Sequence, residues 1–207
     1  MSRRNKRAVR AFVAFLSLAL FASSTQARRD QAPVFAQSAA DPALRNRIAT
    51  LALGVSPEEA RSVTATAYTT GRELALRWRV VWPPGLQNFL VNSGEREGGL
   101  CFQWATELLI RLDRLKLKTL TLHWAEAYPG TASEHNVIVV TAKGQPFVRG
   151  ILLDNWRYSG QLVWGPVSKD PHYEWMENSA ELTRRLQARS GQSLRPKRGP
   201  AHRSKAN

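Results

Sequence analysis

The sequence predicts an α+β domain in which N-terminal helices pack on an antiparallel β-sheet. The apolar residues follow a helical period of about 3.6 as far as residue 115. From residue 120 the period changes to 2, which is typical of half-buried strands. Helices that come first, followed by consecutive strands joined by turns, favour an α+β architecture.

Four helical segments are predicted in the first half of the domain, over residues 41–53, 56–78, 86–91 and 101–115. Gly54 ends the first of them. Ser56-Pro57-Glu58-Glu59 begins the second, because it supplies an N-cap hydroxyl, a proline at the first helical position and a carboxylate at the third. Gly71 weakens this second helix and could divide it in two.

Four strands are predicted after the helices, over residues 120–124, 135–141, 147–153 and 160–167. Leu120, Leu122 and Trp124 alternate with polar residues, which indicates a strand with one buried face. The second and third segments are rich in branched apolar residues, and a turn at 142–146 separates them.

The N-terminus has the pattern of a secretory signal peptide over residues 1–27. Five basic residues precede an apolar run at 11–22, and Thr25 and Ala27 suit a cleavage site. The apolar run is shorter than the ~20 residues needed to cross a bilayer, although an uncleaved N-terminal anchor is the alternative. We therefore expect a periplasmic or secreted chain with no transmembrane span after processing and a polar linker at 28–40.

The net charge of +14 is concentrated at the two ends of the chain. The signal segment carries five of these positive charges and the segment 184–207 carries eight, which leaves +1 for the part between them. The predicted domain at 41–183 is thus nearly neutral, and we expect no specific nucleic-acid binding. The segment 184–207 is predicted to be a basic, largely disordered tail that contacts anionic envelope polymers weakly at most.

Cys101 is the only cysteine, so it cannot form a disulfide within its own chain. It follows Gly98-Gly99-Leu100 and begins the predicted helix at 101–115. The positive end of a helix dipole favours the nucleophilic thiolate. Three interpretations stay open at this point, namely an intermolecular bridge, an inert buried residue and a working thiol.

His135 and Asp154 are the predicted partners of the thiol. With the turn centred on Gly144-Gln145, these two residues face each other across an antiparallel hairpin, at the spacing a carboxylate needs to orient an imidazole. The alternative is that His135 only begins a strand and that Asp154 only starts a turn. His123 is the rival base, but no acidic residue that could orient it follows before Asp154.

No HxH, HExxH or CxxC spacing occurs, so we expect neither a metal nor a cofactor. His172 and His202 are expected at the surface. Among the tryptophans, Trp104 and Trp124 are expected in the core. Trp156, together with Tyr158, could instead line a cleft.

Three segments resemble the transglutaminase-like cysteine protease superfamily, and they are closest to the bacterial transglutaminase-like cysteine proteinases. They are Gly-Leu-Cys-Phe-Gln-Trp-Ala, Glu-His-Asn-Val-Ile-Val-Val and Leu-Leu-Asp-Asn-Trp, within residues 95–165. The resemblance implies a papain/transglutaminase-like core, with Cys101 as nucleophile, His135 as base and Asp154 as its orienter. The chain departs from the family's pattern at Phe102-Gln103, where acidic residues are common, and at Asn155, where transglutaminases have proline.

The expected function is thiol-dependent acyl transfer on a protein or peptide substrate, most simply as a cysteine peptidase or amidase. Gln87, Asn88, Asn92 and Gln103 are all possible side-chain donors to an oxyanion. Two alternatives remain. One is an NlpC/P60-type peptidoglycan endopeptidase, although Asp-Cys-Ser-Gly is absent at the cysteine. The other is a non-catalytic cell-envelope binding protein on the same fold.

Overall fold

The computed structural model describes the backbone of residues 41–193 and the side chains of residues 41–188. The helices are α1 (Pro42–Ala49), α2 (Pro57–Arg77), α3 (Pro84–Asn92), α4 (Cys101–Asp113) and α5 (Ser179–Ser193). The strands are β1 (Leu120–Ala127), β2 (His135–Ala142), β3 (Ile151–Tyr158), β4 (Gln161–Pro166) and β5 (Met176–Glu177). The predicted signal peptide and linker lie outside the described residues.

The five strands form one antiparallel sheet in the order β4-β3-β2-β1-β5. Strand β2 is central and buried along its whole length. Helices cover one face of the sheet, where Trp124, Ile138 and Leu153 join the main core. Val139 and Leu152 lie in a second cluster with Trp175. The predicted α+β class, with helices and an antiparallel sheet, is confirmed.

Helix α2 is continuous through Gly71, so the predicted division does not occur. The predicted helix start is confirmed, because the Ser56 hydroxyl accepts a hydrogen bond from the Glu59 N–H at 3.3 Å. Gly71 is buried where the turn between β3 and β4 approaches the helix. A side chain there would collide with the carbonyl of Gly160, so the glycine permits close packing and does not break the helix.

The hairpin between β2 and β3 differs from the predicted one. A 3₁₀ turn at Phe147–Arg149 replaces the start of the predicted third strand, and β3 extends to Tyr158. Ile138 pairs with Leu153, which shifts the register by two residues from the one that would place His135 opposite Asp154. The predicted direct pairing was therefore wrong. A two-residue shift keeps every side chain on its face, so His135 and Asp154 still share a face as diagonal neighbours.

Helix α5 extends beyond the boundary expected at residue 183, so the segment 184–193 is helical. Leu186 packs against the core, and the Arg185 guanidinium lies 4.9 Å from the ring centre of Trp124. The rest of the predicted tail lies outside the described residues. Within the described part of the chain, no helix is both long and apolar enough to cross a membrane.

Candidate active site

Cys101 is the first residue of α4, and its helix start is built by the neighbouring residues. The Gln103 Oε1 atom accepts hydrogen bonds from the N–H groups of Gly99 and Leu100, at 2.9 and 3.0 Å. The N–H of Cys101 belongs to the first helical turn, whose N–H groups have no acceptor within the helix. The thiol and a free backbone donor therefore lie together at the positive end of the helix dipole.

The loop before Cys101 is fixed by two buried side chains. The Gln87 Nε2 group donates to the carbonyl of Gly98 at 2.7 Å, and Trp104 Nε1 donates to the carbonyl of Gly99 at 3.0 Å. Gly99 has a φ of 130°, and a Cβ atom on it would lie 2.6 Å from the Gln87 side chain. Only glycine suits both the backbone angle and the space.

His135 and Asp154 form a buried hydrogen-bonded pair. The His135 Nε2 atom lies 2.7 Å from Asp154 Oδ2, and each side chain is only 1% exposed. The other Asp154 oxygen accepts from the N–H of Trp156 at 2.8 Å and of Arg157 at 3.2 Å. The carboxylate is thus held on both oxygens, which fixes the plane of the imidazole.

The charges in this pair stabilise each other. Burial disfavours the imidazolium, but the Asp154 charge, the hydrogen bond to it and the Cys101 thiol outweigh burial and raise the pKa of His135 to about 9. Burial likewise disfavours the carboxylate, but His135 and Arg157 lower the pKa of Asp154 below its usual value. An imidazolium paired with a carboxylate is therefore the favoured state at neutral pH.

The Cys101 thiol lies at the entrance to β2. Its Sγ atom is 3.5 Å from the carbonyl oxygen of Glu134 and 3.9 Å from Asn136 Oδ1. Since Asp154 occupies Nε2 of His135, Nδ1 is the ring nitrogen left for the thiol. Nδ1 is buried and has no hydrogen-bond partner among the described residues, so it remains available to the thiol. The structure thus brings Cys101, His135 and Asp154 into one cluster from three separate elements.

No family model, curated protein or solved structure matches the chain.

Three aromatic rings enclose the imidazole of His135. The ring centres of Trp156, Tyr173 and Trp175 lie 4.6, 4.9 and 5.3 Å from it. These rings leave little room for the imidazole to change its rotamer and exclude water from its buried side.

A cleft of about 570 Å³ opens beside the imidazole. Of the three predicted site residues, His135 lines the cleft and Asp154 lies buried behind it. Cys101 is half-buried and is not one of the lining residues, but its Sγ atom lies 3.5 Å from the carbonyl oxygen of Glu134, which is one. Trp156 and Tyr158, which the sequence left open between cleft and core, belong to the cleft wall. Trp104 and Trp124 are buried in the core, as predicted. The other lining residues are Trp82, Asn88, Tyr128, Ala132, Ser133, Glu134, Arg157, His172 and Tyr173.

His123, the rival base, is engaged elsewhere. Its Nδ1 atom lies 2.6 Å from Glu177 Oε1 and its Nε2 atom lies 2.9 Å from Thr141 Oγ1. It pairs with Val139, four residues along β2 from His135, which is about 13 Å at the rise of a strand. Both ring nitrogens of His123 therefore make contacts that link β1 to its neighbouring strands β5 and β2.

His172 and His202 are the two remaining histidines. His172 is exposed, as expected, but it also lines the cleft. His202 lies outside the described residues. Among residues 41–188, no three histidine, cysteine, aspartate or glutamate side chains are grouped so that they could hold a metal ion.

Of the four possible oxyanion donors, only Asn88 lines the cleft. Its Oδ1 atom accepts from Trp156 Nε1 at 3.2 Å, which leaves the Nδ2 group as a donor. Gln87 and Gln103 support the loop before the cysteine, and Asn92 is exposed at the end of α3.

Two site residues were missed in the sequence. Arg157 donates through Nε to Asp154 Oδ2 at 3.0 Å, and its other nitrogens contact Asp170. Asp170 lies two residues before His172, which was expected at the surface, yet the Asp170 side chain is 1% exposed. The sequence offers one weak signal, an arginine three residues after the candidate aspartate.

Proposed function

We propose that this chain is a thiol-dependent acyl-transfer enzyme, most simply a cysteine peptidase or amidase with a Cys101-His135-Asp154 triad. The observation that carries the proposal is the thiol at the start of α4, set against an imidazole whose other nitrogen is held by a buried carboxylate. The resemblance to transglutaminase-like cysteine proteases, and to their papain/transglutaminase-like core, supports the same assignment.

The first half-reaction forms a thioester. The Cys101 thiolate attacks the carbonyl carbon of an amide, so a C–S bond forms and the carbonyl electrons move to oxygen. In this proposal the N–H of Cys101 and the Nδ2 group of Asn88 donate hydrogen bonds to this oxyanion. When the C–N bond breaks, His135 Nδ1 gives its proton to the departing amine.

The second half-reaction releases the acyl group. A water molecule loses a proton to His135 Nδ1 and attacks the thioester, and the thiolate departs as the carboxylic acid forms. An amine in place of water would give transamidation. Asp154 holds the imidazole in one orientation through both steps, because its buried oxygen accepts from Nε2.

A protein or peptide is the substrate class that suits the cleft. Trp82 and Tyr158 are stacked in its wall with ring centres 5.7 Å apart, and they are 59% and 49% exposed. Exposed aromatic rings with a few polar groups between them suit the side chains of a peptide. An exported chain would meet such substrates in the cell envelope, which fits the predicted signal peptide.

Alkylation and turnover test the proposal together. We expect iodoacetamide to modify Cys101 in the folded chain at pH 6 at least about tenfold faster than it modifies free cysteine, and His135→Ala to remove this advantage. A library of peptide coumarin amides should be hydrolysed by the chain and not by Cys101→Ser.

Adding a primary amine to the hydrolysis assay shows whether water or an amine accepts the acyl group. Release of free acid without an amine adduct would identify a hydrolase, and accumulation of the adduct would identify a transamidase. A thiol that reacts only after denaturation would contradict the proposal and favour a non-catalytic binding protein.

A further inference from the structure

Arg157 and Asp170 form a second, largely buried ion pair beside Asp154, and Arg157 also lines the cleft. Arg157 donates through Nη1 to Asp170 Oδ1 at 3.2 Å and through Nη2 to Oδ2 at 2.7 Å, which is a bidentate contact. The Arg157 side chain is 13% exposed. Trp175 Nε1 also donates to Asp170 Oδ2, at 3.0 Å. Asp170 is therefore a fixed anion that holds the far end of the guanidinium.

The near end of Arg157 reaches the triad by two routes. Its Nε atom donates to Asp154 Oδ2, the same oxygen that accepts from His135 Nε2. Its guanidinium also lies 4.9 Å from the ring centre of Tyr173, whose ring packs 4.9 Å from the imidazole. Arg157 thus contacts both the carboxylate that orients the base and a ring that encloses it.

We propose that Arg157, anchored by Asp170, is a positioning residue that orients Asp154 and sets the basicity of His135. The inference rests on the proposed acyl transfer, for which the base must both accept and return a proton. An oxygen shared between two donors attracts the imidazole proton less strongly than an unshared one. The guanidinium charge also disfavours a nearby imidazolium, and the Asp170 charge partly cancels that effect.

Other titratable groups around His135 come from several elements. Cys101 begins α4, Glu134 precedes β2, and His172 and Tyr173 follow β4. The variants proposed here leave these four groups in place.

The titration of His135 itself tests the inference without a substrate. NMR of the chain labelled with ¹³C in its histidine rings follows each imidazole, and His135→Ala assigns the signal. In Arg157→Gln the pKa of His135 should rise by about one unit, because a nearby cation is removed. In Asp170→Asn it should fall by about as much, because the anion that offsets the guanidinium is removed. The His123 signal is the internal control.

Opposite shifts are the result that a merely structural role would not produce. Loosening of the site would move both variants in the same direction, towards the value of a free imidazole. Arg157→Lys keeps the charge but cannot bridge both carboxylates. It should leave the His135 pKa within about 0.3 units of wild type and lower kcat about tenfold at unchanged KM.

The outcomes separate the inference from the proposed function. Opposite shifts in a chain whose thiol is unreactive would support the positioning role and contradict the acyl transfer. Normal hydrolysis and an unshifted His135 in both variants would contradict the positioning role alone. If Arg157→Gln does not fold, the test depends on Asp170→Asn and Arg157→Lys. The inference is then wrong unless Asp170→Asn lowers the pKa of His135 and Arg157→Lys does not.

Discussion

Arg157 donates a hydrogen bond to Asp154 although the two residues should lie on opposite faces of the same strand. They are three positions apart, and side chains alternate in a regular strand. The pairing of β3 with β4 shifts register between Asp154 and Tyr158, and this irregularity turns Arg157 back towards the carboxylate. Regular pairing of β3 with β4 ends at Asp154, and the bulge that follows brings the Arg157 guanidinium to the candidate triad.

Asp154→Asn should impair both activity and stability. The variant keeps the size of the side chain but removes the charge that faces His135 and Arg157, and it presents an amide N–H₂ group to one of these donors. We expect hydrolysis to fall about 10²–10⁴-fold, and the free energy of unfolding to fall by about 3 kcal/mol, because a buried charge loses its partner. Peptide hydrolysis and urea denaturation measure the two effects. Wild-type activity in a stable variant would exclude Asp154 from the mechanism.

The stability of the chain should depend on pH in two directions. The pKa of His135 is raised from 6.5 to about 9, so the stabilisation from its charge is complete below pH 6.5 and is lost as the pH rises through 9. The pKa of Asp154 is lowered, so its contribution is present above about pH 4 and is lost in stronger acid. Urea denaturation between pH 3 and 10 should show greatest stability between about pH 5 and 6.5.

The His135→Ala variant is the control for this profile. It should lose most of the decline between pH 6.5 and 9 while remaining less stable than the wild type at pH 6. An unchanged alkaline decline would show that another group causes it.

Gly71→Ala and Gly85→Ala compare the same substitution in two helices. A Cβ atom at Gly71 would lie 2.3 Å from the carbonyl oxygen of Gly160, whereas one at Gly85 has no neighbour within 4 Å. We expect Gly71→Ala to destabilise the chain by about 1–3 kcal/mol despite the better helix propensity of alanine. Gly85→Ala should be neutral or stabilising by up to about 1 kcal/mol. Thermal unfolding of both variants measures the difference, and equal melting temperatures would contradict the close contact.

The order of α1–α4 and β1–β4 could be predicted because local patterns determine it, whereas β5 and α5 were not predicted. The cap at Ser56-Pro57 marks the start of α2, and alternation marks β1. The details of the second hairpin could not be predicted, since the 3₁₀ turn at Phe147–Arg149 changes the register by two residues. His135 and Asp154 still lie on the same face of the sheet only because the register shifted by an even number of residues.

Contacts that depend on tertiary packing could not be predicted from the sequence. Asp170 resembles a surface residue in a polar stretch, and only the fold brings Arg157 and Trp175 to it. Gly71 resembles a helix breaker until Gly160 is seen beside it. Such residues carry no periodic signal, because their partners are distant in the chain.

Trp82→Ala should weaken substrate binding if the cleft receives peptides. Trp82 is exposed and stacks on Tyr158 in the wall that also contains His135. We expect KM for peptide amides with a large side chain to rise about two- to tenfold, with little change in kcat, because stacking contributes about 0.5–1.5 kcal/mol. Phe89→Ala removes a ring that is 66% exposed and does not line the cleft, and it should leave KM unchanged. Equal effects of the two substitutions would contradict the peptide cleft.

His123→Ala and His135→Ala should affect different properties of the protein. His123 contacts Glu177 on β5 and Thr141 on β2, so its loss should destabilise the sheet by about 1–3 kcal/mol and change the rate only a few-fold. His135 is the imidazole between the thiol and Asp154, so its loss should lower turnover by at least about 10³-fold. Peptide hydrolysis measured beside urea denaturation separates the two effects. If His123→Ala abolished turnover while His135→Ala remained active, the base would lie on β1, and the pairing of His135 with Asp154 would be structural alone.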